Sequence, residues 1–237
     1  MILYGDRADL VPQVYRRFFM ETSMQNRLMK FNGAKDESLV LRAVPGHFAT
    51  GHSHINYYVD MTSLKSRRKE AHEVARFLRS SIMHYVDTVD TIVCMDGTEV
   101  VGAFLAEELE KNHISITNLH ETIYVVAPEI NMSNQLLFRE NTRPTIAGKN
   151  VLILLASMTS GETARRALEC VEYYGGNVVG ITAIFSTMDA VNDKKVFSVF
   201  TQEDLPGYQA FTPHECPFCK KGTPLEAIVN GFGYSLL

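Results

Sequence analysis

Apolar residues recur at helical spacing through the first third of the chain. Leu10, Val14, Phe18 and Phe19 mark a helix over residues 9–19. Met24, Leu28 and Met29 continue the period over 22–31 until Asn32-Gly33 interrupts it. Pro45-Gly46 and Gly51 punctuate a turn-rich stretch, after which Tyr57-Tyr58-Val59, aromatic and β-branched, predicts a short strand. Residues 66–82 predict an amphipathic helix with Ala71, Val74, Ala75, Leu78 and Ile82 inward and Arg67, Arg68, Lys69 and Glu70 on its solvated face.

From residue 91 strands and helices alternate. Strands are expected over 91–95, 122–127, 151–155, 178–185 and 196–200, and helices over 100–109 and 162–174, the second stopped by Gly175-Gly176. Residues 131–148 have weak periodicity and read as either a hairpin or a mobile loop. Continuous apolar strands separated by helices predict an α/β fold with a mainly parallel sheet covered on both faces. We divide the chain into an N-terminal helical hood with the first strand (1–60), an α/β core (61–205) and a C-terminal cap (206–237).

Composition narrows the function classes. The 237 residues are 46% hydrophobic and 21% charged, which excludes a disordered or fibrous chain. Lys+Arg 23 against Asp+Glu 27 gives a net charge of −4, which argues against a nucleic-acid partner. No apolar run reaches the ~20 residues of a membrane span, and residues 1–7 lack the regions of a signal peptide. Four cysteines are too few for a secreted disulfide scaffold, so a soluble cytoplasmic protein is expected.

The candidate chemistry sits after the 151–155 strand. Thr159, Ser160, Gly161, Glu162 and Thr163 form a hydroxyl-rich turn leading into a helix, where converging N–H groups and the helix dipole suit a phosphate. The same residues also read as a helix cap, since Ser or Thr ahead of Glu is the capping-box pattern.

The segment from Val151 to Thr163 resembles the phosphoribosyl pyrophosphate motif of the type I phosphoribosyltransferases, and the resemblance points to the orotate phosphoribosyltransferase branch. It extends to residues 28–34, to Gly46-His47-Phe48 and Gly51 with Tyr57-Tyr58-Val59-Asp60, and to Leu137-Phe138-Arg139 with Gly148-Lys149-Asn150. Cys216-Pro217-Phe218-Cys219 with Gly222-Thr223-Pro224-Leu225 is similar to a C-terminal segment of one bacterial and archaeal subgroup. The resemblance implies a type I phosphoribosyltransferase-like fold, a homodimer, phosphoribosyl pyrophosphate, a nucleotide or another phosphorylated small molecule as partner, and magnesium as the cofactor of an active enzyme. It makes Asp96, Gly97 and Thr98 the pyrophosphate loop and leaves Arg139 and Arg143 as the cations of the catalytic loop.

The departures fall where that chemistry would occur. Leu155 and Ala156 stand in place of two acidic residues that hold the ribose hydroxyls in the family. Pro128-Glu129-Ile130-Asn131 replaces a basic run that contacts pyrophosphate, and Thr62 stands roughly where a lysine often follows Tyr-Val-Asp. Two functions therefore remain open: a transferase acting on a pyrimidine base, and a non-catalytic binder of a nucleotide or phosphometabolite on the same fold.

Two further groups carry metal-ligating side chains. Cys216-x-x-Cys219 with His214 offers at most three ligands, one short of a structural zinc site, so no metal is expected there and a fourth ligand would have to come from the other subunit. His47, His52 and His54 cluster near Gly51 and read as a solvated or hydrogen-bonded loop ahead of a metal or ligand site.

Overall fold

Tyr57-Tyr58-Val59 lies in a strand, as its composition predicts, but the chain ahead of it is extended too. The computed structural model describes residues 24–34, 36–111, 114–133 and 135–237. In it β1 (Met29–Asn32), β2 (Val40–Ala49) and β3 (His54–Asp60) run antiparallel in series. The helix expected over 22–31 is thereby corrected: residues 24–26 are helical, and 29–32 form an edge strand. Leu28 and Met29 are exposed, so their helical spacing marked no buried face, while Met24 packs in the core and Phe31 against it. Pro45-Gly46 is not a turn but lies inside β2, where the register with β3 shifts between Pro45 and Phe48. The helix expected over 9–19 lies outside the described residues.

A short helix α1 (Thr62–Ser66) leads into α2 (Arg68–Ile82), which buries Ala71, Val74, Ala75, Leu78 and Ile82 as the pattern requires. Strand β4 (Thr91–Cys94), helix α3 (Glu99–Lys111) and strand β5 (Tyr124–Val126) follow. The weakly periodic segment forms a hairpin of β6 (Glu129–Ile130) and β7 (Leu136–Leu137), then a 3-10 turn over Arg143–Thr145. Next come β8 (Asn150–Met158), α4 (Glu162–Tyr173), β9 (Asn177–Ser186), β10 (Ala190–Val191) and β11 (Lys194–Thr201). The chain ends with β12 (Ala210–Phe211), α5 (Pro217–Lys220), β13 (Ala227–Asn230) and β14 (Gly233–Leu236).

These strands form a mixed α/β fold with two large sheets. The first has the order β12-β3-β2-β13-β14, with β1 also on β2, so both ends of the described chain share it. The second has the order β10-β11-β9-β8-β4-β5 and is parallel except at β10. Side chains alternate along β8: Leu152, Leu154 and Ala156 pack with α2 and α3, whereas Val151, Ile153 and Leu155 pack with α4. Burying both faces explains why these strands read as unbroken apolar runs. No helix among the described residues is long and apolar enough to cross a membrane.

Candidate functional site

Strand order places the site. From β4 the chain moves outward to β5 and then returns to the other side of β4 as β8, so β4 and β8 flank a topological switch point. The loops leaving neighbouring parallel strands in opposite directions open a crevice there, where open α/β sheets bind ligands. A cleft of about 240 Å³ lies at this place. Asp96, after β4, and residues 157–163, at the end of β8 and the loop that follows it, form one side. Thr50, Gly51, His52, Ile55 and Tyr58 from the β2–β3 hairpin, and Val229, Asn230 and Gly231 from the end of β13 form the other. Phe185 and Tyr208 add apolar surface.

Thr159, Ser160, Gly161, Glu162 and Thr163, the phosphate candidates, all line this cleft. Gly161 has φ +72°, a left-handed conformation that favours glycine and turns the chain sharply into α4. The N-cap of α4 is Gly161, which has no side chain to cap with; Ser160 Oγ accepts from the Glu162 N–H at a long 3.5 Å, so the capping box is not formed and the first N–H groups are only loosely engaged. Glu162, the residue least suited to an anion site, turns away: its carboxylate pairs with Arg165 at 2.9 Å. That hydrogen bond holds the Glu162 carboxyl below its usual range. Arg165 also donates to the Ser160 carbonyl at 3.2 Å, tying the loop to the helix.

The pyrophosphate-loop candidates divide. Asp96 (φ +58°) lines the cleft, and burial raises its carboxyl while the charge of Lys65 draws it partly back. Thr98 is fully buried, its hydroxyl donating to the Met95 carbonyl at 2.8 Å and to Leu154 at 3.2 Å, which joins β4 to β8. Gly97 lies under Phe232 and Lys65. Lys65 escaped the sequence reading because it lies on the buried side of α1. Its ammonium donates to the carbonyls of Asp96 and Gly231, both at 2.6 Å, and so pins the C-terminal hairpin onto the loop.

Leu155 and Ala156 are fully buried, on opposite faces of β8. The arginines expected in a catalytic loop are not brought to the cleft. Arg139 forms a forked pair with Glu129 at 2.7 and 3.0 Å, and Arg143 lies 3.7 Å from Glu140. Thr145, two residues after Arg143, accepts a hydrogen bond from Thr91 at the start of β4, the opposite end of that strand from the cleft. Loop length allowed any direction; the β6–β7 hairpin and this bond chose one.

Magnesium, which the resemblance implies, prefers carboxylate, phosphate and water oxygens. The carboxylates at the cleft are Asp96, pressed against Gly231, and Glu162, held by Arg165. Apolar Leu155 and Ala156 supply none. These residues do not fit a protein-held magnesium.

The histidine and cysteine expectations are also redrawn. His214 is not among the groups that cluster with the cysteine pair. His47 and His54 stand beside it instead: the donor atoms of His47, His54, Cys216 and Cys219 all lie within 4.8 Å of one another. The signal was divided between two segments that the sequence reading weighed separately. His52 instead lines the cleft.

No family model matches the chain. It is 28% identical over 172 residues to the orotate phosphoribosyltransferase of Thermotoga maritima, covering 63% of this chain and 87% of that protein. It is 29% identical over 109 residues to that of Pelotomaculum thermopropionicum, covering 43% and 56%. Among solved structures, the orotate phosphoribosyltransferase of Mycobacterium tuberculosis H37Rv in complex with inorganic phosphate has a TM-score of 0.47 and 15% identity over 80% of this chain and 90% of that one. In its motif loop and in its similarity to these curated relatives, the chain resembles the type I phosphoribosyltransferases, on the orotate phosphoribosyltransferase side.

Proposed function

We propose that the cleft binds a 5′-phosphorylated ribose compound, either a nucleotide or phosphoribosyl pyrophosphate, and that transfer onto orotate is slow or absent. The observation that carries this reading is the glycine-capped N-terminus of α4, whose first N–H meets only a long 3.5 Å bond from Ser160 Oγ, with Thr159, Ser160, Gly161 and Thr163 lining the cleft at the switch point. Ile55, Tyr58, Phe185 and Val229 provide an apolar surface beside it for a ribose or base. Leu155 and Ala156, apolar and buried, supply no side-chain acceptors for the ribose hydroxyls, and each missing charge-assisted contact is worth ~1.5–3 kcal/mol. At roughly tenfold in rate per 1.4 kcal/mol, such losses disable transfer before they abolish binding.

The similarity to orotate phosphoribosyltransferases over 172 residues favours a second reading, an active transferase using phosphoribosyl pyrophosphate with substrate-borne magnesium. Titration calorimetry with phosphoribosyl pyrophosphate, uridine monophosphate and inorganic phosphate, with and without magnesium, tests the first reading. Saturable binding that weakens in Ser160→Ala with Thr163→Val supports it, and an absence of binding by all three overturns it. A parallel assay with orotate decides between the two, since turnover near ~1–10³ s⁻¹ establishes the transferase.

A further inference from the structure

We propose that His47, His54, Cys216 and Cys219 form a closed structural zinc site that fastens the C-terminal segment to the β2–β3 hairpin. The four donors come from three places in the fold. His47 lies in the irregular part of β2, His54 opens β3, and the cysteines flank the first turn of α5. His47 Nε2 is 3.4 Å from Cys216 Sγ, 3.7 Å from Cys219 Sγ and 3.2 Å from His54 Nδ1, and the last is 3.3 Å from Cys219 Sγ. A tetrahedral zinc with bonds of about 2.3 Å to sulfur and about 2.0–2.1 Å to nitrogen needs ligand–ligand edges of roughly 3.3–3.8 Å. Four of the six edges already stand close to that spacing, and no two of the four donor atoms are more than 4.8 Å apart.

Their chemistry agrees with their geometry. Two thiolates and two imidazoles are the soft and borderline donors that select zinc in tetrahedral sites. Binding releases the two thiol protons to solvent, and the two thiolate charges then balance the cation. His47 Nδ1 lies 2.9 Å from the Thr223 carbonyl, to which it donates its proton, leaving the Nε2 lone pair directed at the other three ligands. Cys216 and His47 are almost fully buried, at 0% and 1% exposure, so neither meets its hydrogen-bonding needs with water. Four protein ligands leave no open position, which makes the site structural.

The consequence reaches the cleft. His47 and His54 bracket the loop that carries Thr50, Gly51 and His52 into the cleft wall. His54 also pairs with Phe211 of β12, and Glu226 N–H donates to the His47 carbonyl at 2.9 Å. Zinc would therefore hold the C-terminal segment and one wall of the cleft as a unit.

Metal analysis of the full chain, purified under reducing conditions without chelator, tests the site. We expect about one zinc per chain, lost in Cys216→Ser and in His54→Ala and kept in His214→Ala. Cobalt exchanged into the unaltered chain should give the visible absorption of a tetrahedral thiolate site, a readout that needs no variant to fold. Zinc removal should lower the melting temperature, and adding zinc back should restore it. A metal-free chain that takes up neither ion under reducing conditions overturns the proposal, as does a Cys216–Cys219 disulfide that persists in reductant. Zinc retained by both Cys216→Ser and His54→Ala also overturns it. None of these outcomes depends on what the cleft binds.

Discussion

Gly231 packs directly against the carboxylate of Asp96. A Cβ added to Gly231 would overlap Cβ and Cγ of Asp96 and lie 2.7 Å from its Oδ1. Lys65 locks the contact by donating to the backbone carbonyls of both residues. The C-terminal hairpin thus forms a lid on the loop after β4. Gly231→Ala should push the hairpin outward and cost about 1–3 kcal/mol. Faster amide exchange at residues 230–233, with the core strands unchanged, checks this; an unchanged exchange pattern would show that the hairpin does not rest on Asp96.

Asp96 also sets a pH dependence. Burial raises its carboxyl above the ordinary 3.8, against the opposing pull of Lys65, so the folded chain holds this proton more tightly than the unfolded chain. That stabilisation is fully present below the unfolded value and is lost as pH rises through the raised folded value. Asp96→Asn should remove this loss, and by deleting a negative charge at the cleft should raise phosphate affinity about three- to tenfold at neutral pH. Thermal melts across acidic pH and a phosphate titration check both; weaker phosphate binding would place Asp96 in a supporting role.

The carboxylates missing from β8 should not be restorable by substitution. Leu155 packs beneath α4 and Ala156 on the opposite face, both at 0% exposure. Leu155→Glu places an unpaired charge in the core, at a cost on the order of 3–5 kcal/mol. The double variant with Ala156→Asp should melt far below the parent without binding phosphoribosyl pyrophosphate more tightly. A folded double variant with magnesium-dependent affinity gain would mean that the strand end can rotate toward the cleft.

The loop at α4 should depend on its backbone. Gly161→Ala must hold a left-handed φ of +72°, and the added methyl meets Met188 Sδ at 3.1 Å. We expect a loss of about 1–2 kcal/mol in stability and a larger relative loss of phosphate affinity. Melting and titration of the same sample separate the two effects.

Asp90 anchors the opposite end of the parallel sheet. Burial alone would raise its carboxyl, but backbone and side-chain hydrogen bonds from Asn150 and Thr117 outweigh burial and lower it. Its contribution is present above the unfolded 3.8 and is lost as pH falls through the lower folded value. Asp90→Ala strands buried donors and should cost roughly 2–5 kcal/mol, with a flatter acid limb in denaturant melts.

Local pattern carried much of this protein. The inward face of α2, the apolar strands and the hydroxyl-rich turn before α4 were legible because each follows from spacing within one element. Periodicity misled at Met29, whose helical spacing belongs to a strand held by hydrogen bonds to β2. Tertiary structure alone decided the rest. His47 and Cys216 stand 169 positions apart, and only the joining of β2 with β13 brings the C-terminal cysteines to the histidines. The burial of Leu155 and Ala156 was set by two layers of helices that no single strand specifies. Lys65 became a clamp because the C-terminal hairpin presents the Gly231 carbonyl to it. Sequence determines what each element buries; which donors then meet across the cleft depends on how the two sheets close on each other.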